Sequence, residues 1–474
     1  MTVFAITVIL LTLIVGGIGV DLMRNEMERV RLQNTADRAV LAAADLDQSQ
    51  DKTAVVLDYF DKAGAGHLVS ASDVTVSLGL SNRTVSVDML NSTPTNFMTL
   101  VGIRQLPLPT RAAAIDNAPN IEISLVLDIS GSMRFNEKMD KLRPAAQNFV
   151  AEVLKGDTAT RTSVNFVPYA GQTNPDPAMF DYLNGTRVPV TALDEIAGGI
   201  PYSASNGQLP ADFIGGVGSQ PGVPYVFPNV SSCLDIDPVD FSGMGLPTAG
   251  LFDQTAHFMN WAISLEEDDV HGDEEMEWGW CPQDITPIQY MSNNRAALQD
   301  TIQNMRMHDG TGTHYAMKWA LALLDPNSVP AMDAMIAANL APAEFTGRPA
   351  SFSDDTTTKY IVLMTDGAIT EQVRPLDPLL DRNLTDHLRN SNKEQITTAG
   401  ANIQSFYEQC DLAKAQSPRP VAIFTIAFSA SGAAQTQMRN CAPSPSHFFN
   451  ADNNNISNTF GNIARQINQL RLTQ

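Results

Sequence analysis

The chain has 474 residues, of which 43% are hydrophobic, so it is long enough for two or three folded domains and is not a single small one. Its 30 basic and 52 acidic residues give a net charge of -22. A charge of this sign repels polyanions, which argues against nucleic-acid binding and against a protein that binds anionic lipid surfaces.

An uncharged apolar stretch lies near the N-terminus. Phe4 to Val20 contains no charged residue, and Thr2 to Met23 carries only Asp21. At ~1.5 Å per residue, about 20 helical residues cross a ~30 Å hydrocarbon core, so we predict a transmembrane helix over residues 1–22. A cleaved signal peptide is the alternative, but a basic leading region and a clear cleavage site are lacking. By the positive-inside rule, the arginines that follow this stretch would place the rest of the chain in the cytoplasm. The rule has little weight here because the opposite flank is so short.

The next two segments differ in their pattern of apolar and polar residues. Residues 23–65 carry apolar side chains at helical spacing between alternating charges, which predicts a helical stalk, a packing helix or an oligomerisation surface. Residues 66–118 contain the alternating runs DVTVSLGL and TVSVDML, separated by a turn-like Ser-Asn-Arg. They predict a small α+β module next to the membrane, and no chemistry is visible in it.

The segment GVDLMRNEMERVRLQNTADRAVLAAA, residues 19–44, follows directly on the apolar stretch. It resembles the N-terminal segment of TadG-like proteins of the tight-adherence (Tad/Flp) pilus assembly systems, and RLQNTADRAVLAAA is its most specific part. The resemblance implies a protein of the bacterial cell envelope, held by one membrane helix, with other pilus assembly components as partners.

A buried strand is predicted over Ile121 to Leu127, and it ends abruptly at a polar loop. Asp128, Ser130 and Ser132 follow at a spacing of two residues, so in an extended loop one carboxylate and two hydroxyls can converge beyond the strand end. Three hard oxygens of this kind suit Mg²⁺, Mn²⁺ or Ca²⁺. The sequence therefore predicts a divalent-cation site at this point.

The Asp-x-Ser-x-Ser pattern resembles the metal-ion-dependent adhesion site of von Willebrand factor A domains. Two later segments resemble the family in the same order, MRMHDGTGTHYAMKWALALL and KYIVLMTDGAIT. The resemblance implies that Thr313, or as a weaker choice Thr311, and Asp366 complete the ligand set. It also implies a bound divalent cation, for which Mg²⁺ is the first choice. An open coordination position of this cation would accept an acidic residue from a partner protein.

The rest of the chain predicts strands that alternate with helices, which is typical of a doubly wound, mostly parallel α/β sheet covered on both faces. Ligands of such sheets bind beyond the carboxyl ends of the strands, where Asp128 and Asp366 are expected. We assign residues 119–474 to a von Willebrand A-like domain with insertions at about 171–290, 325–358 and 371–395, because those stretches are rich in Pro and Gly or lack periodicity.

Four cysteines, Cys233, Cys281, Cys410 and Cys441, contain no C-x-x-C pair, so a zinc ribbon or a redox pair is not indicated. They allow three pairings, and four free thiols are the alternative. We favour Cys233 with Cys281 and Cys410 with Cys441, the second because TadG-like proteins have similarly placed cysteines. Disulfides form in oxidising compartments, which for a membrane-anchored bacterial chain means the periplasm or the cell surface.

The acidic run EEDDVHGDEEME, residues 266–277, is interpreted as a solvated surface, with a calcium-type site or a docking surface for a basic partner as alternatives. No G-x-S-x-G elbow, phosphate-binding loop or cysteine nucleophile is present in the sequence, so an enzyme is not predicted. The sequence thus predicts an extracytoplasmic protein that makes metal-dependent protein contacts in pilus assembly or adhesion. A stand-alone surface adhesin and a metal-dependent hydrolase are the competing hypotheses.

Overall fold

The computed structural model describes residues 2–45, 48, 50–78, 82–117, 119–186, 207–208, 226–227, 231–248, 252–255, 258, 260, 279–377 and 390–469. The chain forms two compact units, residues 1–119 and 120–474, and each has a hydrophobic core of its own.

The first unit packs two helices on an antiparallel sheet. Its elements are α1 (Thr2–Ala44), α2 (Lys52–Lys62), β1 (Val74–Leu78), β2 (Asn82–Pro94) and β3 (Gln105–Asn117). The strands pair in the order β1-β2-β3, with Val85 opposite Ala114. Because side chains alternate along a strand, one face of the sheet is apolar, and it packs with Val40 of α1 and Phe60 of α2. Residues 23–65, predicted as a stalk, thus contribute in part to the core of this unit.

Helix α1 is continuous through the segment predicted to span the membrane. Among the helices that the structure describes, none has a stretch both long and apolar enough for a bilayer crossing. The transmembrane helix predicted over residues 1–22 is therefore not supported by the described residues.

The second unit is built on a six-stranded sheet. The labelled strands of this unit are β4 (Asn120–Asp128), β5 (Thr162–Tyr169), β6 (Gln289–Ser292), β7 (Thr357–Thr365), β8 (Gln372–Pro375), β9 (Lys393–Thr397), β10 (Ala422–Phe428) and β11 (Phe448–Ala451). All of them except β8 and β9 belong to the six-stranded sheet. The order is β11-β10-β7-β4-β5-β6, and every neighbouring pair is parallel except β5 with β6. Strands β8 and β9 form a separate antiparallel pair, as do Gly207–Gln208 and Val226–Phe227. The structure confirms a mixed α/β fold with a mostly parallel sheet.

Helices cover both faces of this sheet. They are α3 (Lys138–Val153), α4 (Pro177–Tyr182), α5 (Arg295–Asn304), α6 (Thr313–Ala322), α7 (Val329–Ala337), α8 (Ala399–Lys414), α9 (Gly432–Cys441) and α10 (Ile456–Gln469). On one face, Leu125 of β4 shares a buried cluster with Phe149 of α3 and Phe460 of α10. On the other face, Val126 shares a cluster with Trp319 of α6. Strand β4 is therefore buried on both sides, which explains its nearly continuous apolar sequence.

Two disulfides cross-link the second unit, with the pairing that we favoured from the sequence. The Cα atoms of Cys233 and Cys281 are 5.9 Å apart. Those of Cys410 in α8 and Cys441 in α9 are 5.3 Å apart. The predicted insertion at 325–358 contains α7, and the one at 371–395 contains β8 and part of β9. Most of the insertion at 171–290, with the acidic run 266–277, lies outside the described residues.

Candidate functional site

The candidate site begins where β4 ends. Asp128 is the last residue of that strand, and its Oδ1 atom accepts a hydrogen bond of 2.8 Å from the backbone N–H of Ser130. This bond turns the chain, so that the Ser130 and Ser132 hydroxyl oxygens lie 3.1 Å apart. Asp128 is fully buried and Ser130 nearly so. The predicted cluster of one carboxylate and two hydroxyls thus has side chains close enough to act together.

Asp366 reaches the same point from the neighbouring strand. It directly follows β7, which is parallel to β4, and the carboxyl ends of both strands meet at one edge of the sheet. The Ser132 hydroxyl donates a 2.7 Å hydrogen bond to Asp366 Oδ1, and the Ser130 hydroxyl lies 3.5 Å from the same oxygen. The sheet topology therefore joins residues more than 230 positions apart in the sequence.

The two candidate threonines occupy different positions. Thr313 is the first residue of α6, it is fully buried, and its hydroxyl lies 3.2 Å from the Tyr169 hydroxyl. Thr311 lies in the loop before α6 and beside Gly367, where an added Cβ would be 3.3 Å from Thr311 Oγ1 and 3.8 Å from Ser132 Oγ. Gly367 thus lies close to both Thr311 and Ser132, whereas the Thr313 hydroxyl is near Tyr169.

Two glycines let the threonine loop approach the sheet edge. Gly310 has a φ of +79°, which favours glycine. Gly312 donates a 2.6 Å hydrogen bond to the carbonyl of Ala170, and a Cβ there would lie 2.1 Å from the Gly171 carbonyl oxygen. A side chain at position 312 would therefore push the loop, and Thr311 with it, away from the site.

Three buried residues that we did not predict contact the carboxylates. The Lys138 ammonium lies 2.7 Å from Asp366 Oδ2, and Thr365 donates a 2.6 Å hydrogen bond to Asp128 Oδ2. The Tyr169 hydroxyl lies 3.3 Å from that same Asp128 oxygen. Lys138 gives no sequence signal because it looks like an ordinary lysine in the first turn of a helix. Thr365 and Tyr169 look like the last residues of buried strands.

The electrostatics of the site follow from the closeness of its two carboxylates. Burial and the neighbouring Asp366 raise the pKa of Asp128 to about 7, although the bonds from Ser130 and Thr365 oppose this. Burial, together with the Asp128 charge, raises the pKa of Tyr169 well above its ordinary value, so its hydroxyl stays protonated. The Asp128 carboxyl therefore lies in surroundings that disfavour its charged form.

A cavity of about 240 Å³ opens above the two serines. Ser130, Ser132 and Thr311 line it together with Trp280 and Asn260, which come from the predicted insertion at 171–290. The insertion therefore contributes a wall of the cavity beside the cluster.

The Trp280 wall is fixed by several contacts. The indole stacks on Phe258 with ring centroids 5.4 Å apart and donates a 3.1 Å hydrogen bond to Gln372 Oε1. Gln372 in turn donates to the Gly171 carbonyl at 2.8 Å. The indole that lines the cavity is thus held in place by a ring contact and a hydrogen bond.

The donor set consists of hard oxygens. Within the part of the chain that the structure describes, no group of three or more His, Cys, Asp or Glu residues could hold a metal ion. The candidate ligands are instead two carboxylates, Asp128 and Asp366, with hydroxyls from Ser130, Ser132 and one of the two threonines. Such a mixture suits Mg²⁺, Mn²⁺ or Ca²⁺ better than softer transition metals.

Comparisons with known proteins give one family match at the N-terminus and several distant structural likenesses. Residues 1–46 match the Flp pilus-assembly TadE/G-like family, and no curated protein matches by sequence. Among solved structures, the vWF domain of the type V pili tip protein Mfa5 from Porphyromonas gingivalis matches with a TM-score of 0.35 and 14% identity, over 74% of this chain and 96% of that one. The pilus adhesin SpaC from Lactobacillus rhamnosus GG matches with a TM-score of 0.32 and 11% identity, over 83% of this chain and 33% of that one. The PilB minor pilin from Streptococcus sanguinis matches with a TM-score of 0.32 and 12% identity, over 84% and 77%.

Proposed function

We propose that this chain is a cell-envelope protein of a Tad/Flp pilus assembly system, and that its second unit is a von Willebrand A-like domain. The cluster of Asp128, Ser130, Ser132 and Asp366, with a threonine hydroxyl, holds a divalent cation. Mg²⁺ is the ion that we expect, with Ca²⁺ or Mn²⁺ as alternatives. The cation binds an acidic residue of a partner protein, so the function is protein contact and not catalysis.

One observation carries this proposal. Side chains from two loops separated by more than 230 residues, those of Ser132 and Asp366, come within 2.7 Å at the edge of the sheet where ligands of such folds bind. A third loop places Thr311 in the lining of the same cavity as Ser132. Hydroxyl and carboxylate oxygens that converge in this way form a ligand set for a hard cation.

The charges at the cluster support a cation and an acidic partner. Asp128 and Asp366 contribute two negative charges, and Lys138 offsets one of them. The raised pKa of Asp128 reflects burial first and the repulsion by Asp366 second, and a nearby cation would favour the charged carboxylate against both. A divalent ion leaves the cluster with about one net positive charge, which one carboxylate from a partner would neutralise.

We assign the threonine ligand to Thr311 in preference to our first choice, Thr313. Thr311 lines the cavity with Ser130 and Ser132, whereas the Thr313 hydroxyl lies beside Tyr169. Thr313 then has a supporting role, because Tyr169 links it to the Asp128 carboxylate. Replacing Thr311 by Val should weaken cation binding more than the same change at Thr313.

The pilus assignment rests on the N-terminal segment. Residues 1–46 match the TadE/G-like family, and the two disulfides suit an oxidising compartment outside the cytoplasm. The membrane anchor at residues 1–22 belongs to the proposal as well. Flotation of the full chain with phospholipid vesicles, and resistance of that association to alkaline carbonate, would test the anchor.

Calorimetric titration of the full chain with Mg²⁺ tests the site. Asp128→Asn removes one ligand charge, while Asp300→Asn changes an exposed carboxylate on α5 that is not part of the cluster. We expect one ion to bind to the wild type and to the Asp300 control but not to the Asp128 variant. Equal binding by all three proteins would mean that the cluster holds no cation and that other carboxylates produce the signal.

The partner contact has its own test in cells that lack the chromosomal copy of this gene. We expect the wild-type chain and the Asp300→Asn control to restore surface pili, and Asp128→Asn to fail at equal protein level. Normal piliation with a variant that binds no cation would separate the site from assembly. It would also favour the stand-alone adhesin hypothesis.

A further inference from the structure

The connection between β2 and β3 in the first unit forms an apolar tip. It contains a short 3-10 helix, Met98–Val101, and has no ionisable residue between positions 95 and 103. Leu100 is 73% exposed, and Phe97, Val101 and Ile103 are each more than two-fifths exposed. Four large apolar side chains thus project from seven consecutive residues, and the described part of this unit does not cover them.

The tip is attached to α1 through a buried carboxylate. Asp21 accepts hydrogen bonds from the backbone N–H groups of Asn96, Phe97 and Met98, at 3.0, 2.7 and 2.8 Å. Gly17 of α1 faces the Phe97 ring so closely that an added Cβ would lie 2.5 Å from it. The three hydrogen bonds satisfy the only charged residue in this part of α1, so the tip is held at the end of the uncharged run Phe4 to Val20.

The apolar surface of the tip continues along the helix. Val15 and Val20 of α1 are both more than half exposed, and they lie within the turns that flank Gly17. The first exposed basic side chains on either segment, Arg24 and Arg104, follow directly after the apolar residues. Apolar side chains bordered by arginines match the layering of a phospholipid surface, where the arginine heads reach the phosphates.

The net charge of the whole chain does not oppose such a contact. Residues 1–119 contain 9 basic and 12 acidic residues, a balance of -3, whereas the whole chain has -22. The excess of acidic residues therefore belongs almost entirely to the second unit. At ~8 Å Debye screening, the first unit can meet a lipid surface without strong repulsion of its own.

We propose that the tip formed by residues 97–103 is a lipid-contacting element, which inserts Phe97, Leu100, Val101 and Ile103 into the boundary between headgroups and acyl chains beside α1. This inference rests on the membrane anchoring proposed above and adds a second point of contact. The two contacts together would fix the orientation of the first unit on the membrane, because Asp21 ties the tip to the helix.

A single introduced thiol can test the position of the tip, since all four cysteines of the chain are in disulfides. Leu100→Cys and the matched control Leu90→Cys are each labelled with a polarity-sensitive fluorophore in the full chain. Leu90 is 81% exposed on β2, four residues or roughly 13 Å before the strand ends at Pro94, and the tip begins beyond that end. Both proteins are reconstituted into vesicles of phosphatidylethanolamine and phosphatidylglycerol, and flotation is measured first.

We expect a blue shift at position 100, and loss of its emission when the lipids carry a nitroxide near the headgroup, with neither effect at position 90. Proteins that float with the vesicles but show no quenching at position 100 would overturn the inference and leave the anchor intact. A blue shift without quenching that grows with protein density would mean that a second copy covers the tip, which also overturns it. Failure to float would remove the anchor and this inference together, while cation binding by the second unit would be unaffected.

Discussion

Replacing Asp366 by Asn should destabilise the second unit through the lysine beside it. The Lys138 ammonium lies 2.7 Å from Asp366 Oδ2, with 10% of the lysine side chain and none of the aspartate side chain exposed. Its other acceptor is the Ser132 carbonyl at 3.4 Å. The substitution keeps the shape of the side chain but removes the negative charge, so a buried ammonium is left without a counter-charge.

Breaking one partner of a buried ion pair costs about 3–5 kcal/mol. Because Lys138 keeps a small exposed surface and the Asn amide still offers an oxygen, we expect the lower end, about 3 kcal/mol. Adding Lys138→Met removes the unpaired charge. The double variant should therefore unfold within about 1 kcal/mol of the wild type, since apolar replacement of a whole buried pair is often close to neutral. The coupling energy between the two sites is then about 2 kcal/mol or more.

Urea unfolding followed by tryptophan fluorescence gives this measurement, because all four tryptophans lie in residues 120–474 and report the second unit alone. EDTA is included so that no bound cation adds stability. If the double variant is as unstable as the sum of the single variants, Lys138 and Asp366 are not coupled and the ion pair does not exist in solution. The double variant also separates two reasons for lost cation binding in Asp366→Asn. If the missing ligand is the reason, the stable double variant loses binding too. If unfolding is the reason, the double variant keeps it.

Three further results are expected in the second unit. Replacing Cys410 and Cys441 by Ser opens a loop with a sequence separation of 31 residues and should lower the free energy of unfolding by about 3.7 kcal/mol on chain entropy, as measured in urea. Phe149→Ala removes a fully buried ring that packs edge-on against Phe460 and should cost about 3–5 kcal/mol in the same assay. Burial lowers the pKa of Lys318 to about 8, so the unfolded chain binds its proton more tightly. The free energy of unfolding should therefore rise, relative to Lys318→Met, by up to about 1.4 kcal/mol per pH unit between pH 8 and 10. A flat difference over that range would contradict the lowered pKa.

The sequence was sufficient for the parts of the fold that depend on local pattern. A strand buried on both faces must be apolar along its whole length, which made β4 visible, and helices such as α3 and α10 have clear apolar spacing. The positions of Asp128 and Asp366 followed from the rule that parallel strands end at the same edge. The choice between Thr311 and Thr313 did not follow from the sequence, because each of them follows a glycine in the same loop.

Contacts between distant segments could not be predicted from local sequence patterns. The pairing of Lys138 with Asp366 depends on how the first turn of α3 packs against the loop after β7, and no local spacing encodes it. The three hydrogen bonds from the β2–β3 tip to Asp21 join positions about 75 residues apart. In each case a buried charge is satisfied by tertiary structure, so the sequence shows a charged residue without showing its partner.

The long insertion has a consequence for the kind of contact that the proposed site can make. Trp280 precedes Cys281, whose disulfide to Cys233 fixes this segment to the rest of the insertion, and its hydrogen bond to Gln372 fixes it to β8. The serines consequently line a cavity of about 240 Å³ that has Trp280 as one of its walls. A single projecting side chain fits a cavity of this size better than a flat partner surface does. If the proposed cation is bound there, a partner that presents its carboxylate on an extended loop or at a chain end would suit the cavity best.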